Sequence, residues 1–177
     1  PYINMLAGLA DTPKAAVHCF SLLKQNSAGS SSVCLDHFFA SLSQYFSNLG
    51  QFGQTSARPD MTIYRSSQPH TRGSSPAEIS GLASVMDLVT VLADRCDQAR
   101  LAMAEHPGWS VVPSVIGLLS CAVPTQIKAK LMIFLAAIAK TSDIVHPLWQ
   151  ALESAGLMGG NRAGLVGELE EIEARQE

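Results

Sequence analysis

The chain has 177 residues, of which 47% are apolar and 15% are charged, and its formal net charge is −3. A chain of this length can bury about 70% of the surface of its unfolded form, and the composition is too apolar for disorder. The acidic character is local, because residues 168–177 contain five Glu and one Arg while the remaining residues are close to neutral. The chain therefore lacks the basic face that direct nucleic-acid binding requires.

The low charged share also bears on the domain organisation. A soluble domain usually has about 25% charged residues, so part of this surface is expected to be covered in the full molecule. The chain starts with Pro1 rather than Met and stops inside the helix-like pattern GELEEIEARQE. We expect residues 1–177 to form one segment cut from a larger chain.

Helix signals follow one another from the start of the sequence. Thr12 is a good N-cap and Pro13 takes the first helical position, where its missing N–H costs nothing. Residues 34–52 place apolar side chains at three- and four-residue intervals, which predicts a second helix. Ser75 and Glu78 form a capping box at the start of a third helix, which runs to residue 94.

The second half of the chain continues the helical pattern. Further helices are predicted over residues 97–105, 110–121, 124–140 and 142–155, followed by a last one at the C-terminal end. Pro147 removes a backbone hydrogen bond from the last of the bounded helices, so that helix is expected to start late or to kink. Only MTIY, at residues 61–64, alternates like a strand. The sequence predicts an all-α chain.

Two similar motifs lie forty residues apart, HPGW at 106–109 and HPLW at 146–149. Helix pairs that recur at about this period are typical of armadillo- and HEAT-like solenoids, in which antiparallel helix pairs stack on one another. We therefore predict that Trp109 and Trp149 are structural repeat anchors, buried at equivalent places in successive helix pairs. The alternative is that they bind a partner, since Trp is common at interaction hot spots.

The residues that carry chemistry do not form a recognisable site. Cys34 and His37 stand three residues apart, but a structural zinc site needs four ligands and no second pair has suitable spacing. The chain has no G-x-S-x-G element, and GGNRAGLV lacks the Lys and Ser/Thr of a phosphate-binding loop. We predict no catalytic, cofactor-binding or metal-binding residues, and the chain is not expected to be an enzyme.

A membrane-spanning helix is also not expected. Residues 106–127 carry no formal charge and are numerous enough to cross a bilayer. Prolines interrupt this run, however, and buried helices of a solenoid explain its apolar character better.

Residues 53–75 are predicted to form a long basic loop. Loops of this length without structure of their own are uncommon in compact domains and are often functional, although a flexible spacer is an equal alternative. The loop contains Arg58, Arg65 and Arg72 against a single Asp60. Tyr64 and Arg65 are the partner-binding candidates, because an aromatic side chain and a guanidinium lose little rotamer freedom on docking.

The sequence also resembles a known family. The run at 99–153, which begins ARLAMAEHPGWSVVPSVIG, resembles the large inner-ring scaffold nucleoporins of the two-hundred-and-five-kilodalton class, as do PYINMLAGLADTPKAAVHCFSLLK and IYRSSQPHTRGSS. The resemblance implies a curved helical solenoid in the nuclear pore complex at the nuclear envelope. It also implies that the partners are other inner-ring scaffold nucleoporins and linker nucleoporins, and that the protein supports nucleocytoplasmic transport. The alternative is a protein that resembles a nuclear transport receptor, whose concave helices should be acidic, whereas the internal helices here are nearly neutral.

Overall fold

A computed structural model describes residues 2–25, 33–54 and 75–158, and within these ranges it contains eight α-helices and no strand. The helices are α1 Tyr2–Leu9, α2 Pro13–Gln25, α3 Leu35–Gln54, α4 Pro76–Arg95, α5 Asp97–Glu105, α6 Val111–Ser120, α7 Thr125–Ile138 and α8 Ser142–Ser154. The all-α prediction is confirmed. Helix α1 was not predicted, and the last predicted helix lies outside the described residues.

The two helix N-caps predicted from the sequence, at α2 and α4, both form in the structure. The backbone N–H of Ala15 donates to Oγ1 of Thr12 at 3.3 Å, which caps α2. At α4, the N–H of Glu78 donates to Oγ of Ser75 at 3.2 Å, and the N–H of Ser75 donates to Glu78 Oε2 at 2.7 Å. This reciprocal pair satisfies two backbone donors that would otherwise lack an intrahelical partner.

Helix α4 is the central element of the described fold, and α1, α2, α5 and α7 pack against it. Its buried side chains lie on more than one face: Ala83, Met86, Leu88, Val89, Leu92 and Ala93. By length and composition, α4 is the one described helix that could cross a membrane. Its place among four other helices accounts for the same apolar character, because a helix that is contacted on several sides is apolar on several sides.

Ion pairs join α4 to α7 and to the turn that follows α7. Lys130 pairs with Asp87, and Lys140 pairs with Asp94. The hydrogen bond from Lys140, more than the attraction of neighbouring cations, lowers the pKa of the Asp94 carboxyl from its ordinary value. Both pairs are partly open to solvent, where ion pairs contribute only about 0–1 kcal/mol, so the α4–α7 contact depends mainly on its buried apolar side chains.

Helices α3 and α6 form a second close contact, although they are far apart in the sequence. The hydroxyl groups of Ser43 and Ser114 are 3.1 Å apart and share a hydrogen bond. One helical turn further on, the ring of Phe46 lies directly against Gly117, and a Cβ atom at Gly117 would overlap that ring. The absence of a side chain at Gly117 lets the two helices approach this closely.

The two histidine–proline motifs do not occupy equivalent positions, so that part of the repeat prediction is wrong. HPGW forms the turn between α5 and α6, whereas HPLW lies inside α8. In the turn, Ser110 takes the left-handed backbone conformation with φ of 45°, and Gly108 leaves room for the ring of His106, since a Cβ atom at Gly108 would stand 3.3 Å from its Cε1. In α8, Leu148 continues the buried stripe that begins at Ile144. Helix α8 begins at Ser142 and continues past Pro147, so the expected late start does not occur.

The predicted loop at 53–75 has different boundaries. Helix α3 extends to Gln54, and Ser75 already caps α4. The intervening residues 55–74 lie outside the described residues.

Candidate partner-binding surface

The two predicted partner-binding residues, Tyr64 and Arg65, lie outside the described residues. Their role therefore stays a prediction. The structure does place the two ends of the segment that contains them, Gln54 at the end of α3 and Ser75 at the start of α4.

Trp109 is buried between helices, with only 5% of its surface exposed. Its ring stacks on His106 with the ring centroids 4.3 Å apart, and it packs against Phe39 of α3 at 4.9 Å. The indole Nε1 donates a hydrogen bond to the carboxylate of Asp36, also on α3. Trp109 thus connects the α5–α6 turn to α3 by both apolar and polar contacts, and its predicted burial is confirmed.

Trp149 is 48% exposed, so its predicted burial is wrong. The reason is its position on α8, where Ile144 and Leu148 face the core. Successive residues of a helix are about 100° apart around its axis, and the residue that follows Leu148 therefore points away from the buried stripe. Its indole Nε1 donates to Oε1 of Glu153 at 2.8 Å, one turn further along the helix.

The surface around Trp149 has further exposed apolar side chains. Val145 lies one turn before Trp149 on α8, and Leu157 and Met158 follow the end of the helix. The polar neighbours His146 and Gln150 hydrogen-bond to each other at 3.0 Å. We call Val145, Trp149, Leu157 and Met158 the α8 surface. An exposed aromatic ring whose N–H is already satisfied, beside exposed aliphatic side chains, suits contact with an apolar partner surface.

A groove of about 620 Å³ lies between α1, α3 and the first turns of α4. Its floor is apolar and includes Phe38, Leu42, Leu82 and Val85, and polar side chains stand around it, among them His37, Gln44, Asn48 and Glu78. Grooves of this size are typical of binding sites for small ligands or peptide side chains. The described residues contain no cluster of three or more His, Cys, Asp or Glu that could hold a metal ion.

One structurally important residue was not singled out in the sequence. Arg100 of α5 is only 7% exposed. Its Nε donates to the carbonyl oxygen of Ala93 at 2.8 Å, and Nη2 donates to that of Asp94 at 3.3 Å. Nη1 reaches Oγ1 of Thr141 at 3.2 Å, at the start of α8. A single guanidinium on α5 thus contacts both the end of α4 and the start of α8.

Comparison with known proteins decides the family. The family model described as "Nuclear pore complex scaffold, nucleoporins 186/192/205" matches residues 1–173. The chain belongs to this Nup192 family. The family resemblance found in the sequence is confirmed, and so is the fold class, an all-α helical solenoid.

Two relatives support the membership of this chain in the Nup192 family. The chain is 37% identical over 196 residues to the human "Nuclear pore complex protein Nup205", and the match covers 100% of this chain. It is 29% identical over 187 residues to the Drosophila melanogaster protein of the same name, with 99% of this chain covered. In both cases the match spans 9% of the relative's length.

Membership of the Nup192 family confirms the predicted localisation at the nuclear pore complex. The family is one of structural scaffold proteins, which favours a scaffold over a nuclear transport receptor.

Proposed function

We propose that this chain is a structural segment of the inner ring of the nuclear pore. In this role it binds other inner-ring scaffold nucleoporins and linker nucleoporins, and so supports nucleocytoplasmic transport at the nuclear envelope. We also propose that residues 1–177 are one solenoid segment of a longer protein. The family match over residues 1–173 supports both statements.

The α8 surface is the observation that favours a binding role most directly. About half of the surface of Trp149 is exposed to solvent. This exposure is unfavourable, because Trp has a large apolar side chain whose burial is strongly stabilising. Trp is also among the residues most enriched at interaction hot spots. We propose that Trp149 contacts an apolar surface of a neighbouring scaffold or linker nucleoporin. This proposal takes up, for Trp149, the alternative that the tryptophans bind a partner.

Replacing Trp149 by Ala in the full-length chain is expected to weaken binding of that partner by about 2 kcal/mol or more, which corresponds to roughly thirtyfold in Kd. The loss follows from removal of the largest exposed apolar side chain of the α8 surface. Isothermal titration calorimetry with purified scaffold and linker nucleoporins measures the effect. Ile133→Ala on α7 is the matched control, because Ile133 is 59% exposed but lies outside the α8 surface. Equal affinity for all tested partners in wild type and Trp149→Ala would contradict the proposal.

Tyr64 and Arg65 are the second proposed contact, at the border of a linker nucleoporin site. Changing both residues to Ala in the full-length chain is expected to weaken linker binding while the melting temperature stays the same. Calorimetry and thermal unfolding of the same preparations measure the two quantities. Unchanged affinity together with an unchanged melting temperature would mean that the segment is only a spacer.

A further inference from the structure

The α8 surface is acidic as well as apolar. Residues 142–158, which form α8 and the turn after it, include Asp143 and Glu153 but no Lys or Arg. Two cations lie near the start of the helix, and both pair with carboxylates of other helices: Lys140 with one of α4, and Arg100 with one of α5. Residues 142–158 themselves therefore contain no cation that balances their negative charge.

Glu153 lies directly beside the exposed ring of Trp149. The indole Nε1 donates to Oε1 of Glu153 at 2.8 Å, and the two side chains are one helical turn apart on the same face of α8. A carboxylate can accept about four hydrogen bonds, so the bond from Nε1 leaves capacity for a further donor. The face of an indole ring attracts cations. The pair therefore offers one cationic side chain two favourable contacts, with the ring and with the carboxylate.

Backbone hydrogen bonds fix the turn that follows α8. Gly156 has a φ of 71°, and its N–H donates to the carbonyl oxygen of Glu153 at 2.9 Å. The N–H of Leu157 donates to the carbonyl oxygen of Leu152 at 3.0 Å. These two bonds form the Schellman arrangement of a helix C-terminus, which holds Leu157 next to the last turn of α8. A surface that is ordered in advance loses less conformational freedom when a partner docks.

The neighbours of Trp149 restrict which partners can cover its ring. A partner that covers the ring also removes the adjacent carboxylate of Glu153 from water. A desolvated carboxylate without a counter-charge is costly, so a wholly apolar partner would lose much of the gain from burial of Trp149. An acidic partner would be repelled. A partner that places a cation at this point satisfies both side chains.

We propose that the partner segment that docks on the α8 surface is basic as well as apolar. One of its cationic side chains lies over the indole of Trp149 and pairs with Glu153. Apolar side chains next to that cation contact Val145 and Leu157. Arginine fits best, because a planar guanidinium can stack on a ring and also donate two hydrogen bonds to a carboxylate. The proposal rests on the proposed binding role of Trp149 and adds the chemical class of the partner.

Glu153→Gln in the full-length chain tests the role of the negative charge. Glutamine keeps an oxygen that can accept from the indole of Trp149, so the substitution removes the charge and little else. The Kd for the nucleoporin whose binding Trp149→Ala weakens is expected to rise about tenfold, through loss of the contact with the cation. Isothermal titration calorimetry at low and at high salt measures the effect. The difference between wild type and variant should shrink at high salt, because salt screens exposed charges.

Asp143→Asn is the matched control, because it removes the same charge from an exposed residue of the same helix. Asp143 lies in the first turn of α8 and is not a neighbour of Trp149 on the helix. Its replacement should change the Kd much less than Glu153→Gln does. Equal effects of the two variants would overturn the proposal, since they would show a diffuse attraction instead of a contact at Glu153. Circular dichroism confirms that both variants are folded.

The cation itself is tested on the partner. The exposed arginines and lysines of the same nucleoporin are changed to glutamine one at a time. One position is expected to raise the Kd for the wild-type chain about tenfold. The same change should have almost no further effect on the Kd for Glu153→Gln, because the two groups interact with each other. The proposal would be overturned if no such position existed, or if the two losses simply multiplied.

The outcomes separate this proposal from the proposed function. If Trp149→Ala weakens binding and Glu153→Gln does not, the partner contact is uncharged, and the proposed function stands while the basic partner is overturned. If Trp149→Ala leaves the affinity for every tested nucleoporin unchanged, the proposed function fails, and the proposal of a basic partner fails with it.

Discussion

Replacing Trp109 by Ala is expected to lower the free energy of unfolding by about 3–5 kcal/mol, as large-to-small changes of buried aromatic residues do. The indole fills the space between the α5–α6 turn and α3, against His106 and Phe39. The substitution leaves a cavity there and also removes the hydrogen bond to Asp36. Asp36 is exposed and can bind water instead, so most of the loss should come from the cavity.

Chemical denaturation followed by circular dichroism measures this loss, and two further variants separate its causes. Trp109→Phe keeps an aromatic ring but loses the N–H donor, so it should cost less than Trp109→Ala. Trp149→Ala is the matched control at the other motif, and it should cost less than about 1 kcal/mol because surface substitutions seldom exceed that. If Trp109→Ala and Trp149→Ala were equally destabilising, the burial difference between the two rings would not determine stability.

The two tryptophans should therefore have opposite phenotypes. Trp109→Ala should impair folding, while Trp149→Ala should impair binding and leave the fold intact. A sequence comparison of HPGW with HPLW suggests one shared role. The structure assigns the two rings different environments, because one motif is a turn and the other is part of a helix.

Local signals in the sequence were sufficient for most of the fold. The capping box at Ser75 and the N-cap at Thr12 depend only on residues within one helical turn, and both form as expected. Helix α1 was missed because Tyr2–Leu9 has no charged residue in its first or last turn and buries only Leu6. Such a short segment is helical mainly through its packing against α4.

The environment of individual side chains was harder to predict, because it depends on contacts between distant parts of the chain. The exposure of Trp149 depends on which face of α8 meets α6. The groove between α1, α3 and α4 requires that α3 and α4 stand apart, which no local pattern indicates. Likewise, the local sequence does not distinguish Arg100 from other charged residues of an amphipathic helix. Its burial depends on the contact with Thr141 at the start of α8, which is distant in the sequence.

Arg100→Met is expected to lower the free energy of unfolding by about 2–4 kcal/mol, since removal of one partner from a buried hydrogen-bonded set leaves the others unsatisfied. Methionine can replace the aliphatic part of the side chain, so the apolar packing is largely kept. The carbonyl oxygens of Ala93 and Asp94 then lose their guanidinium donor near the end of α4. Thr141 loses the contact that links the start of α8 to α5.

Arg95→Met provides the matched control, because Arg95 lies at the end of the same α4 helix and pairs with Asp11 at 3.2 Å on the surface. Exposed pairs contribute between about 0 and 1 kcal/mol, so this variant should unfold at nearly the wild-type denaturant concentration.

Arg100→Lys should fall between the two, since a single ammonium group cannot match the planar fork that reaches two carbonyl oxygens and a hydroxyl. If Arg95→Met and Arg100→Met shifted the unfolding midpoint equally, surface charge rather than the buried hydrogen bonds of Arg100 would explain the loss. A larger shift for Arg100→Met, with Arg100→Lys intermediate, would mean that this one guanidinium stabilises the junction of α4, α5 and α8.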